Sequence, residues 1–290
     1  MPSTLQVTDG RQLAYAEWGD LDGSPIFALH GTPGCRLDRP PGEDKLRAAG
    51  LHLITYDRPG YGASDRHNGR QVADCVGDVA LIADAVGVER FAIIGTSGGG
   101  PHALAVCARL GDRVTNASCV VGIAPYDSEG LDWLAGMDPE NVEEFGWALS
   151  GKARLTVELD REAAALLARV AQDPASILEG FQLPTTDIAV LADPRVQQII
   201  RESAAEMFVN GVSGWVDDDL AFTTPWGFDP SEIDLPVEIC FGSSDVLVPP
   251  AHGHWLASHI AGARTVVETD KGHLEGPDEM IEHLRRLVHG

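Results

Sequence analysis

The sequence predicts an α/β protein, a mostly parallel sheet with helices on both faces, broken by a helical insertion. Three observations predict it. Short apolar runs alternate with amphipathic stretches through residues 1–125. That rhythm stops over about 126–225, and it resumes from 226 to 290. Strand and helix in strict alternation give parallel strands that helices must cover on both sides.

Taken in order, "QLAYAEW" (12–18) alternates apolar and polar residues and predicts an antiparallel strand. "PIFALH" (25–30) and "LHLITYD" (51–57) are continuous apolar runs, as strands buried on both faces require. Between them "EDKLRAAG" (43–50) predicts a short helix stopped by glycine. Residues 70–88 carry apolar side chains at 72, 75, 76, 79, 82, 83 and 86, which is helical spacing. "RFAIIG" (90–95) and "ASCVVGIAP" (117–125) predict buried strands around the helix "PHALAVCARLG" (101–111), whose proline suits a first turn. In the insertion "DREAAALLARVAQ" and "DPRVQQIIRESAAEMFVNG" are helical, and no run reads as a buried strand. Then "PVEICFGSSD" (236–245) and "ARTVVETD" (263–270) predict strands, and 250–262 and 277–290 predict helices.

The composition narrows the function. Forty-four acidic residues against 21 basic ones give a formal charge of −23, and only Lys45, Lys152 and Lys271 are lysine. Nucleic acid and anionic membrane surfaces repel such a chain, so neither is expected as a partner. No apolar run reaches the roughly 20 residues that span a bilayer, and "MPSTLQVTDGRQLAYAEWGD" has no basic start with an apolar core. Five scattered cysteines (Cys35, Cys75, Cys107, Cys119, Cys240) suit reduced thiols in a cytoplasm better than a disulfide framework.

The chemistry concentrates in "FAIIGTSGGGPHALAV" (91–106). Gly95-Thr96-Ser97-Gly98-Gly99 fits G-x-S-x-G between a buried strand and a helix, which holds the serine on a sharp exposed turn. A hydroxyl needs a base to become a nucleophile, and the oxyanion it creates needs donors. The Gly98 N–H at the helix start is one donor; the turn "LHGTPG" (29–34) can aim a second, that of Thr32. Asp245 ends the strand "EICFGSSD", and His273 follows the last strand in "TDKGHLEGP". The order Ser97, Asp245, His273 predicts a Ser-His-Asp triad. A phosphate-binding turn is disfavoured because there is no G-K-[ST] and no dinucleotide fingerprint.

"HGTPG", "YDRPGYGAS" (56–64), "GTSGGG", "GSSDVLVPP" and "GHLEGP" together resemble the α/β-hydrolase fold family along nearly the whole chain. The resemblance implies a mostly parallel eight-stranded sheet with helices on both faces and a helical cap inserted after the sixth strand. The core would be 1–125 and 226–290, with 126–225 the cap. It implies Ser97 as nucleophile, His273 as base and Asp245 as the orienting acid. Asp127, after the strand 117–125, is the alternative acid, since some family members place theirs there.

Several other residues invite a role. Asp57 and Arg58 are expected to bond loop backbone, His30 to brace the oxyanion loop, and His102 to pack or rim the pocket. His252 and His254 face different sides of a helix and make a poor metal pair, so no metal site is expected. "DDD" (217–219) reads as a solvated loop or helix start. Cys35 lies beside the oxyanion loop without an assigned role. Trp133, Trp147, Phe181, Phe208, Trp215 and Trp226 divide between insertion core and substrate contact.

The expectation is therefore a cytoplasmic, cofactor-free serine hydrolase acting on a small-molecule carboxylic ester or lactone, with homo-oligomerisation left open. "HGTPG" is similar to the "HGGPG" of prolyl iminopeptidases, departing at Thr32, so peptide chemistry is an alternative, as is C–C bond hydrolysis on the same triad. A non-enzymatic ligand receptor is the alternative of another class.

Overall fold

The computed structural model describes residues 2–289. Eight strands form one sheet: β1 (Ser3–Gln6), β2 (Gln12–Gly19), β3 (Ser24–Leu29), β4 (Leu51–Tyr56), β5 (Phe91–Thr96), β6 (Val114–Val120), β7 (Val237–Gly242) and β8 (Arg264–Glu268). Their spatial order is β1-β2-β4-β3-β5-β6-β7-β8. The pairs β1–β2 and β2–β4 are antiparallel, and every other pair is parallel. Continuous apolar sequence explains the centre: all six residues of β4 are buried, as are five of six in β5.

The covering helices are α1 (Glu43–Ala48), α2 (Cys75–Ala85), α3 (Gly99–Arg109), α9 (Pro250–His259) and α10 (Pro277–His289). Between β6 and β7 lie α4 (Pro139–Ser150), α5 (Lys152–Gln172), α6 (Thr185–Leu191), α7 (Pro194–Met207) and α8 (Ser213–Phe222). These five helices have a core of their own, in which Leu155, Leu159, Leu166, Met207 and Trp215 meet. It reaches the rest of the chain through Cys35 and Tyr61, both buried in the same cluster.

Three elements depart from the sequence expectation. β1 is a four-residue, mostly exposed edge strand, too short and wet to show a pattern. β6 ends at Val120 rather than 125 because Val121 turns to φ 46°, which no strand continues. The "DDD" segment is not solvated: Asp217, Asp218 and Asp219 are 2%, 0% and 1% exposed within α8. Each finds its reason in a partner distant in sequence.

Candidate active site

Ser97 sits between β5 and α3 with φ 53°, a left-handed conformation that a side chain adopts only under constraint. The turn is tight because its neighbours lack Cβ atoms. A Cβ on Gly95 would meet the Gly99 carbonyl oxygen at 2.2 Å, and one on Gly99 would meet the Leu29 oxygen at 2.1 Å. The Ser97 N–H donates to Val120 O (2.8 Å) and its carbonyl accepts from Gly100 N–H (2.8 Å), which pins the turn to β6 and α3.

His273 and Asp245 meet. His273 Nδ1 lies 2.8 Å from Asp245 Oδ2, while Asp245 Oδ1 accepts the N–H groups of Leu247 (2.9 Å) and Val248 (3.0 Å). The Asp245 side chain is fully buried and that of His273 nearly so. Burial alone lowers the imidazole pKa, but the charge and hydrogen bond of Asp245, with Asp187 behind, outweigh it and raise it above the ordinary value. Asp187, a buried carboxylate of α6, accepts the backbone N–H of His273 (2.8 Å) and of Leu274 (3.2 Å). Sequence reasoning missed Asp187, because nothing near residue 187 points to a loop so far along the chain.

Asp127 stands elsewhere. It lines a shallow surface depression with Pro125, Trp226 and Trp255, and His273 takes its carboxylate from Asp245 instead.

Thr32 lies beside Gly98, so close that a Cβ on Gly98 would meet Thr32 Oγ1 at 2.2 Å. Neither the Thr32 nor the Gly98 amide hydrogen has an acceptor among the described residues. A buried ionic cluster holds the Thr32 loop. The Arg58 guanidinium donates to His30 O, to Gly31 O (2.8 Å) and to Thr32 Oγ1 (3.0 Å). Asp218 Oδ2 accepts from Arg58 Nη2 (2.7 Å), Tyr61 Oη (2.9 Å) and Thr32 Oγ1 (2.8 Å); Arg70 Nη2 lies 2.6 Å from Asp218 Oδ1. Burial pushes the Asp218 carboxyl up, yet Arg58 and Arg70 hold it well below the usual carboxylate range. Asp57 bonds loop backbone, accepting from Arg36 N (2.6 Å) and Ala63 N (2.9 Å). His102 is wholly buried against Gly98 O (2.8 Å), and burial with the neighbouring Arg58 charge lowers its pKa to about 3.

Two chambers share Ser97 in their linings. One, lined by Ser97 and His273, is largely apolar, with Leu178, Val190, Ile200 and Met207 in its wall. The other meets Ser97, Thr32 and Gly98 and is walled by Trp147, Phe181 and Trp215. It also presents five carboxyl groups, Glu140, Glu144, Glu162, Glu179 and Asp219, and no lysine or arginine lines it. Glu144 and Asp219 face one another in the interior. Burial first, and then each other's proximity for Asp219, raises both carboxyls above their ordinary values. Trp215 Nε1 donates to Glu144 (2.8 Å), but no N–H or O–H donor from elsewhere reaches Asp219 Oδ2.

The other singled-out residues are accounted for by packing. Trp133 and Trp226 belong to the sheet core, and Phe208 stacks on Trp215. Cys35 is buried in the core shared with α5 and α7. His252 is buried, its Nδ1 accepting from Ala124 N (3.1 Å) and its Nε2 lying 2.9 Å from Trp133 O, while His254 packs on the Phe241 ring.

A family model described as alpha/beta hydrolase fold matches residues 24–276. The chain belongs to the alpha/beta hydrolase fold family. Among its relatives, a non-heme chloroperoxidase of Streptomyces lividans is 25% identical over 86% of this chain and 84% of its own. A bifunctional esterase/perhydrolase of Acinetobacter calcoaceticus is 26% identical over 84% and 83%. A proline iminopeptidase of Neisseria meningitidis is 24% identical over 98% and 94%. A solved hydrolase of Pseudomonas aeruginosa PA01 shares the fold with a TM-score of 0.69 at 21% identity, covering 100% of this chain and 98% of that one. No helix among the described residues is long and apolar enough to cross a membrane.

Proposed function

We propose that this alpha/beta hydrolase cleaves a carboxylic ester or lactone through an acyl-enzyme formed on Ser97. The observation that carries the reading is that Ser97 and His273 line one cavity while the far nitrogen of His273 is held by Asp245. Ser97 Oγ attacks the carbonyl carbon as His273 Nε2 takes its proton, and the Thr32 and Gly98 N–H groups receive the oxyanion. The C–O bond then breaks, the leaving alcohol taking the proton from His273. Water, deprotonated by the same imidazole, attacks the acyl carbon and frees Ser97. The apolar chamber suits an acyl group of small to medium size. We take α4–α8 as a cap over both chambers.

The acidic chamber favours a second reading, in which the substrate carries an amine. An ammonium group among these five carboxyls would favour the ionised forms of Glu144 and Asp219, which burial otherwise holds toward neutrality, and no lining cation among the described residues competes with it next to the nucleophile. This is compatible with the iminopeptidase-like alternative, and the proline iminopeptidase of Neisseria meningitidis is among the relatives.

Intact mass after fluorophosphonate treatment, with turnover of a p-nitrophenyl ester panel, tests the first reading. One adduct on the native chain and none on Ser97→Ala is expected, with ester turnover falling by roughly 10⁴ or more. An adduct that persists on the variant would sink it. Paired p-nitroanilides and esters with a free or acetylated α-amine test the second: a preference for the free amine that Glu144→Gln abolishes supports it, and indifference to the amine removes it.

A further inference from the structure

On the sheet, outside the lining of both chambers, β7 places Glu238 and Cys240 two residues apart, so both side chains face the same side. From α10, His283 reaches the same point. Cys240 Sγ is 3.0 Å from Glu238 Oε1 and 4.0 Å from His283 Nε2, and His283 Nε2 is 3.4 Å from Glu238 Oε1. Cys240 and His283 are 6% and 3% exposed, and the Glu238 side chain is 12% exposed. Ser118 Oγ, from β6, lies 3.0 Å from His283 Nε2 and 3.7 Å from Cys240 Sγ.

We propose that Glu238, Cys240 and His283 form a binding site for one tetrahedral divalent ion of the zinc type. Zinc–sulfur, zinc–nitrogen and zinc–oxygen bonds of about 2.3, 2.0 and 2.1 Å at tetrahedral angles separate the ligand atoms by about 3.4–3.6 Å. The three observed separations bracket that value, so sub-ångström rotamer adjustments close the triangle around an ion. The donor set is the nitrogen, sulfur and oxygen mixture that zinc selects. Its two anionic ligands, carboxylate and thiolate, neutralise a divalent charge in a buried place. Binding displaces two protons to solvent, that of the Cys240 thiol and that of His283 Nε2, leaving a thiolate and a neutral imidazole whose Nδ1–H faces Glu275.

The surroundings have the form that metal-bound histidines take. His283 Nδ1 is 2.9 Å from Glu275 Oε1, which fixes the ring so that Nε2 faces the other two ligands. Arg264 pairs with the second oxygen of Glu238 and leaves Oε1 to the ion. Ser118 Oγ or a water is available as the fourth ligand. The ligands come from β7 and α10, and Glu275 from the loop that carries His273, so an ion here would fasten the closing helix and that loop to the sheet.

Cobalt(II) titration of the chelator-treated full chain is the test, because a surface with charge −23 binds cations loosely without giving a thiolate signature. One cobalt per chain is expected, with a thiolate-to-cobalt charge-transfer band and the intense visible bands of tetrahedral cobalt. Zinc should displace it and raise the melting temperature. Cys240→Ala and His283→Gln should each remove the band, Ser97→Ala should keep it, and Glu275→Gln should weaken affinity about 10–100-fold. Circular dichroism of each variant separates loss of ligand from loss of fold, and Glu275→Gln keeps all three ligands should the others misfold. No band on the native chain overturns the proposal and leaves an imidazolium between two carboxylates. A band that survives Cys240→Ala overturns it equally, since the thiolate would then be another cysteine.

Discussion

Replacing Asp218 by asparagine keeps the size of a wholly buried side chain and removes its charge. In the native chain that charge sits between Arg58 and Arg70, 2.7 and 2.6 Å away, with Tyr61 and Thr32 also donating to it. Arg58 is itself 0% exposed and Arg70 5%, so neither can turn to water when its partner is neutralised. Removing one member of a buried ionic cluster leaves uncompensated charge, at about 3–5 kcal/mol. For a chain of this size that corresponds to a fall in melting temperature on the order of 10 °C. Thermal and chemical unfolding of the variant, beside Asp44→Asn at an exposed helix position, makes the measurement; the control should leave the midpoint unmoved. The sign with pH follows from the depressed Asp218 pKa. Its charge stabilises fully above the unfolded carboxylate value of about 3.9 and loses that effect as pH falls through the lower folded value. The gap between native and variant should therefore narrow below pH of about 4. A loss under about 1 kcal/mol at neutral pH would refute the reasoning, since it would mean that water or relaxation solvates both guanidinium groups. Because Arg58 and Asp218 also hold the Thr32 loop, ester turnover in the folded variant should fall as well.

Three further outcomes follow from the site. In the proposed mechanism His273 must be neutral to take the Ser97 proton; its pKa is raised, so kcat/KM should rise with pH along an acid limb centred above the ordinary histidine value of about 6.5. Asp245→Asn should move that limb down and reduce kcat by about 10⁴, read from pH–rate profiles of both forms; an unmoved limb would detach Asp245 from the histidine. Gly99→Ala drives a Cβ against the Leu29 and His30 carbonyl oxygens, where backbone rather than a flexible side chain must give, so soluble yield and melting temperature should drop steeply. A variant that melts like the native chain would show that the β5–α3 turn has room for a Cβ and is not held by these contacts.

The sheet was legible because burial on both faces demands unbroken apolar runs, and such runs survive in any reading of β3, β4 and β5. The G-x-S-x-G turn was legible because its constraint is local: Gly95 and Gly99 are needed by contacts within the turn and its nearest strand. Ser97, Asp245 and His273 stood out as candidates because each ends or follows a strand, and strand ends share one rim of a parallel sheet; the structure brings His273 to Asp245 and places Ser97 and His273 on one cavity. That Asp245, and not Asp127, faces His273 needed coordinates, since both follow strands in the same way.

What sequence could not determine is which polar residues are buried, because burial depends on partners far along the chain. "DDD" looks like a solvated run, yet Asp217 meets Arg66, Asp218 meets Arg58 and Arg70, and Asp219 meets Glu144. Asp187 is equally silent until α6 packs on the His273 loop. Local chemistry, in which one turn supplies its own reason, was readable from the amino acids alone. The wall of carboxyls beside Ser97, and the meeting of Glu238, Cys240 and His283, exist only because folding closes long loops between residues that carry no mutual mark in the sequence.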